Sequence, residues 1–326
     1  MIFLILKNNN MKYKKITSIF LTFLLTFISC QNSIKSNLTL LGDQIPTDTP
    51  LVFGPRIIST DAAMEFAITF SPEMDEMYFT RRRPKERNNI FVTKLVDGQW
   101  AEPDLAFFSS EDTWDFEPHI NPKGDVLYFG TNRPLNDTIA SSGIHEWHIK
   151  KNKNDWSRPK LVAELFKDRF IMFVNSSENG NLYFNSEELG ANPDDELSIY
   201  YVVNNEGRYT DFIKMGKEIN SGTMIAHPFI APDESYMIFD GIRSSGYGDC
   251  DLYISFKENG VWTKSYNLGS EINTEMCEMT ASVSPDGKYL FFHRGGGDMG
   301  DIYWVDFRLV LERIKKLEEV KYCDEI

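Results

Sequence analysis

The sequence predicts an all-β chain. The expected architecture is a five-bladed β-propeller of four-stranded antiparallel blades, closed by an N-terminal strand and followed by a short C-terminal helix. Three observations predict it: one phrase recurs five times at near-constant spacing, each copy carries the same turn chemistry, and the strand missing from the last copy reappears at the other end of the chain.

The phrase starts as Phe70-Ser71-Pro72-Glu73 followed by Met77-Tyr78-Phe79. It returns around Asn121-Pro122-Lys123-Gly124 and Leu127-Tyr128-Phe129, then in a degraded form around Ser177 and Leu182-Tyr183-Phe184. Ala231-Pro232-Asp233 with Met237-Ile238-Phe239, and Ser284-Pro285-Asp286-Gly287 with Leu290-Phe291-Phe292, complete the set. The anchors at 72, 122, 177, 232 and 285 are 50, 55, 55 and 53 residues apart, and a Phe lies seven residues after each one. Pro early and Gly late in a turn are hairpin chemistry, so two strands flank each anchor.

A third apolar stretch follows in every copy: Asn89 to Val92, Gly143 to Trp147, Ser198 to Val202, Asp251 to Ile254 and Asp301 to Val305. A second turn (Asp97-Gly98, Glu206-Gly207 or Asn259-Gly260) leads to a fourth stretch bearing Trp100, Trp156, Tyr209 or Trp262. Both faces of these strands are apolar, as sheets packed between two others require. The fifth copy has no fourth stretch. Instead Phe307, Val310, Leu311, Ile314 and Leu317 take helical spacing. Leu51-Val52-Phe53-Gly54 with Ile57-Ile58 matches Leu268-Gly269 with Ile272, so residues 50–58 are expected to supply the last blade's outer strand. The organisation reads as a signal segment over 1–29, a polar tether over 30–49, the propeller over 50–306, and a helix and tail over 307–326.

The run Ser284-Pro285-Asp286-Gly287, an apolar-aromatic strand, Arg294, then Asp301-Ile302-Tyr303 resembles the WD40-like, TolB-type β-propeller repeat. The resemblance covers about residues 50–306. Blade 3 departs most, with Ser177 for Pro and Ser198 for Asp, and the Gly-His and Trp-Asp markers of true WD40 repeats are absent. It implies a propeller and a cell-envelope setting, and similar repeats occur in exported lipoproteins of the Bacteroidetes type.

The address agrees with that setting. Lys12, Lys14 and Lys15 precede an apolar run from Ile16 to Ile28, a basic-then-apolar order typical of a secretory signal, with Met1 or Met11 as the start. The run ends in Ser29-Cys30, which resembles a lipobox. Cys30 is therefore the expected lipidation site, with plain secretion as the alternative. The chain of 326 residues carries a net charge of −14, which repels a phosphate backbone and excludes a nucleic-acid partner. Cys250, Cys277 and Cys323 suit no metal site and are either free or form one bridge with one thiol left over.

Candidate ligand-binding residues lie on the face of the loops that join blades and of those that join second to third strands. Arg83, Arg133 and Arg243 fall four residues after their anchoring Phe, and Arg294 falls two after Phe292. Glu117, His227 and Thr280 fall five before their anchors, with Glu65 and Glu278 close by. Such a rim suits a sugar, a peptide or an anion, although repeated Arg and acid in blades also pair with each other structurally. Asp194-Asp195-Glu196 reads as solvated charge rather than a calcium loop. His145 and His148 point to opposite faces of a strand, a poor metal pair. No cofactor or metal is expected. The reading is a monomeric, non-catalytic binding or scaffold module with an envelope protein or glycan as partner. The alternative is a glycoside hydrolase or lyase using Glu65, Glu117 and Glu278.

Overall fold

The computed structural model describes residues 44–135, 143–153, 155–187 and 197–324, with side chains as far as 316. The signal segment, Cys30, most of the tether, Asp194-Asp195-Glu196 and the Cys323 side chain lie outside the described residues.

Antiparallel units follow one another along the chain, each opened by an inner strand: Met64–Phe70, Asp115–Ile120, Ile171–Ser176, Thr223–Ile230 and Cys277–Val283. The second strands are Glu76–Arg82, Val126–Thr131, Leu182–Ser186, Tyr236–Ile242 and Tyr289–Gly296. The third are Asn89–Val96, His145–Asn152, Ser198–Val202, Asp251–Glu258 and Met299–Asp306. Each inner strand packs against the inner strand of the next unit, and the fifth returns to the first, so the units form a closed ring.

The fourth stretch differs from the sequence reading. Trp100, Trp156 and Trp262 belong to short hairpins that extend the end of the third strand. The outer strands proper come a few residues later, at Asp104–Leu105, Lys160–Leu161 and Tyr266–Asn267, with Ile213–Lys214 in the third unit. Those strands run along the middle of the third strand, where their backbone groups complete the ladder.

Leu51–Val52 is the outer strand of the fifth unit, with Leu51 opposite Trp304 and Val52 opposite Tyr303. Phe53, fully buried, inserts behind it against Phe291 and Trp304, with ring centroids 4.9 and 5.3 Å away. Phe307–Asp324 is the C-terminal helix. Phe307, Val310 and Ile314 are buried with Ile254, Leu268 and Leu290, so the helix seals the seam between the fourth and fifth units, and Arg313 pairs with Glu271. Cys250 and Cys277 form a disulfide across the same seam, 27 residues apart in sequence.

Candidate functional site

One device recurs at the axis. Each inner strand has a register shift, and there Ala67, Glu117, Phe173, His227 and Thr280 all take positive φ, between 47° and 56°. None is a glycine, so each backbone is strained. Cross-unit hydrogen bonds hold this geometry. The Glu117 N–H donates to Thr80 Oγ1 at 2.8 Å, that of His227 to Asn185 Oδ1 at 3.2 Å, and that of Thr280 to Asp240 Oδ1 at 3.1 Å. The acceptor in each case is the second-strand residue following the anchoring Phe of the preceding unit. In the second unit this position is Gly130, and the buried Glu146 fills the space beside it.

These positions gather a buried ionisable cluster. His227 Nδ1 lies 2.9 Å from both Asp240 oxygens, and its Nε2 lies 3.4 Å from Glu117 Oε1. Burial opposes protonation of His227, but Asp240 and Glu117 outweigh it and push its pKa up to about 10. Burial raises Glu146 well above the usual carboxylate range, and the nearby Glu117 charge adds to the effect. An axial cavity of about 240 Å³ opens toward the face of the anchor turns, and all five inner strands wall it. Ile68, Phe70, Ile120, Val174 and Phe229 make it largely apolar, and Glu117 and His119 supply polar wall. Burial holds the His119 pKa down at about 3, so that imidazole is neutral. Met64, Phe66, Phe116 and Phe173 cluster toward the opposite, loop-bearing face, and among the described residues none of the C-terminal helix lines the cavity.

The arginines do a different job. One per unit lies over aromatic rings: Arg81 over Phe79 and Phe91, Arg133 over Phe129 and Trp147, Arg169 over Tyr200 and Phe212, Arg243 over Phe239 and Tyr253, and Arg294 over Phe292 and Tyr303. Each also donates to loop carbonyls: Arg81 to Ile57 and Ile58, Arg133 to Phe108, Arg169 to Glu187, Arg243 to Ile219 and Ser221, and Arg294 to Ile272. Three meet a buried inner-strand carboxylate at 2.8 Å: Arg81 with Glu65, Arg133 with Asp115, and Arg294 with Glu278. Burial raises the proton affinity of Glu65 and Glu278, and bonds from Thr60, Thr274 and these arginines counter it.

Of the expected site residues, Glu117 and His227 come together at the axis, whereas Glu65, Glu278, Arg133 and Arg294 are spent on paired contacts within separate units. Arg83 stands apart at the surface, 3.5 Å from Glu86. Arg81 holds the stacked place, and Arg169 reaches its place from the loop preceding its unit, so a constant offset from the anchoring Phe finds neither. Glu146 and Asp240 also escape such counting. The clue in the sequence is that Glu146 stands where the other copies carry Ile90, Ile199, Leu252 and Ile302, whereas the equivalents of Asp240 are Thr80, Gly130, Asn185 and His293.

No protein-family model matches the chain, and no curated protein matches it. Among solved structures, the chain is similar to TolB from Acinetobacter baumannii, at 14% identity and a TM-score of 0.49, with 76% of this chain and 53% of that one covered. It thus spans about half the length of that TolB chain. An α-L-arabinofuranosidase from Lactobacillus brevis matches at 12% identity and a TM-score of 0.50, covering 75% and 91%. A gluconolactonase from Xanthomonas campestris matches at 10% identity and a TM-score of 0.47, covering 81% and 98%. At such identities likeness speaks for fold alone. The repeated units and the closed ring, with the fold-level likeness at a TM-score of 0.50, make the chain a β-propeller.

Proposed function

We propose that the protein is a non-catalytic binding module of the bacterial cell envelope, exported, anchored through a lipid on Cys30, and holding a protein or glycan partner. The observation that carries this reading is the pairing of the candidate acids Glu65 and Glu278 with arginines. A glycosidase needs two carboxyl groups about 5–9.5 Å apart facing one open space. Here Glu65 and Glu278 are fully buried and bound by arginines of their own units, and of the three candidate acids only Glu117 lines the axial cavity. The Cys250–Cys277 disulfide supports export, because disulfides persist in oxidising compartments.

The test is a panel of bacterial and plant oligosaccharides and envelope proteins, read by thermal stabilisation and by product release. Stabilisation without turnover is expected. Turnover abolished by Glu117→Gln would overturn the reading and favour a glycan-active enzyme. The raised Glu146 beside Glu117 is the one feature that speaks for such an enzyme. Separately, Cys30→Ala should release the protein from membranes, and a variant that stays bound contradicts the anchor.

A further inference from the structure

The inner-strand position two residues before the strained one holds Glu65, Asp115 and Glu278 in the first, second and fifth units, but Ile171 and Ile225 in the third and fourth. Among the described residues Arg243 therefore has no carboxylate partner. Its Nε donates to the Ser221 carbonyl at 2.7 Å, its Nη1 to Ser265 Oγ at 2.6 Å and its Nη2 to the Ile219 carbonyl at 2.8 Å, all neutral acceptors. Two of the five guanidinium N–H groups stay available. The exposed Lys264 makes no ion pair among the described residues either. Two cations without an ion pair among the described residues, lining one cleft, stand out in a protein of net charge −14.

Both line a cleft of about 580 Å³ on the loop-bearing face of the fourth unit, within the range of about 300–1,000 Å³ usual for small-molecule sites. Its other walls offer rings and neutral hydrogen-bonding groups: Tyr247, Tyr253, Ser244 and Asn267. Tyr247 is 52% exposed. The loop that carries it is fixed from beneath, because Asp251 accepts the Tyr247 N–H at 2.7 Å, the Gly248 N–H at 3.2 Å and Asn267 Nδ2 at 2.7 Å. The one buried acid at the cleft is thus occupied with shaping it. Gly248 packs so tightly on the Thr274 and Met276 carbonyls that a Cβ would collide with them.

We propose that this cleft binds an acidic sugar, a hexuronate unit of a glycan. Its carboxylate meets Arg243 and Lys264, its hydroxyls meet Ser244 and Asn267, and its apolar ring face lies on Tyr247. A neutral sugar leaves both cations unmatched, so the cleft selects for charge. The proposal rests on the reading of the chain as a binding module and names a ligand class for it.

The test uses the full chain in detergent, titrated calorimetrically with tri-mannuronate and with mannotriose at equal ionic strength. Tri-mannuronate should bind at least about tenfold tighter than mannotriose. Lys264→Glu and Tyr247→Ala, both at exposed positions, should each weaken tri-mannuronate binding by about tenfold with unfolding temperature unchanged. Equal affinity for the two sugars, unaltered binding by either variant, or no tri-mannuronate binding at all would each overturn the proposal. Absence of acidic-sugar binding leaves the binding-module reading standing if another ligand stabilises the protein, whereas turnover of any glycan refutes that reading instead.

Discussion

Replacing Cys250 and Cys277 together by serine probes the seam between the fourth and fifth units. The bond closes a segment of 27 residues. In the chain-entropy account, cutting a loop of that length costs about 3.5 kcal/mol. The seam has other ties, since the Glu278 N–H donates to the Cys250 carbonyl at 2.8 Å and the helix covers the same two units. The native fold should therefore survive, and the loss should act mainly through the unfolded chain. At about 2.1 cal/mol/K of unfolding entropy per residue over the propeller, this lowers the unfolding temperature by about 6 °C. Differential scanning calorimetry of the double variant measures it, and reductant added to the wild type should produce the same shift. A shift under about 1 °C in both experiments, or alkylation of Cys250 and Cys277 in the native protein without reductant, would refute the reasoning.

Other outcomes follow from the axis and the clamps. The His227 imidazole should stay protonated through the neutral range and lose its proton near pH 10, as followed by NMR of its ring. Because its folded-state pKa lies above the unfolded value, the stability it contributes is complete below about pH 6.5 and disappears as pH rises through about 10. Asp240→Asn should bring the titration down toward the ordinary histidine range, and an unchanged midpoint would sink the assignment. Arg294→Met strands the fully buried Glu278 and should cost about 3 kcal/mol in urea unfolding, whereas Arg83→Met, at a half-exposed surface pair, should cost under about 0.5 kcal/mol. Phe53→Ala empties a fully buried site and should cost about 3–5 kcal/mol; a loss under 1 kcal/mol would mean that the closing strand is not anchored as described.

The architecture was legible because propeller physics repeats. Each anchor turn needs the same residues, and the Phe seven positions on is fully or almost fully buried in every unit. The closing strand showed as well, because Gly54 and Ile58 repeat the loop chemistry of Gly269 and Ile272. The axis was harder to read. A strained backbone usually advertises itself with glycine, but Ala67, Glu117, Phe173, His227 and Thr280 share no side-chain type, since bonds from neighbouring units hold them in place. The arginines misled in a related way. A guanidinium on a long stem reaches the same ring pair from different starting points, as Arg81, Arg133 and Arg169 do, so sequence offset is a poor guide to position. The pairing of Cys250 with Cys277 depends on two units meeting edge to edge, which spacing along the chain does not encode.

The pairing of Leu51 with Trp304 sets a timetable. The ring stays open until nearly the last described strand arrives, so the contact that locks it spans almost the whole propeller. A chain with so non-local a final step folds slowly and leaves inner-strand edges exposed meanwhile. If it leaves the cytoplasm from its N-terminus, Leu51 and Phe53 reach the far side early and wait there for the fifth unit to follow. On that route the fold would stay unlocked for as long as threading lasts and close only on the far side.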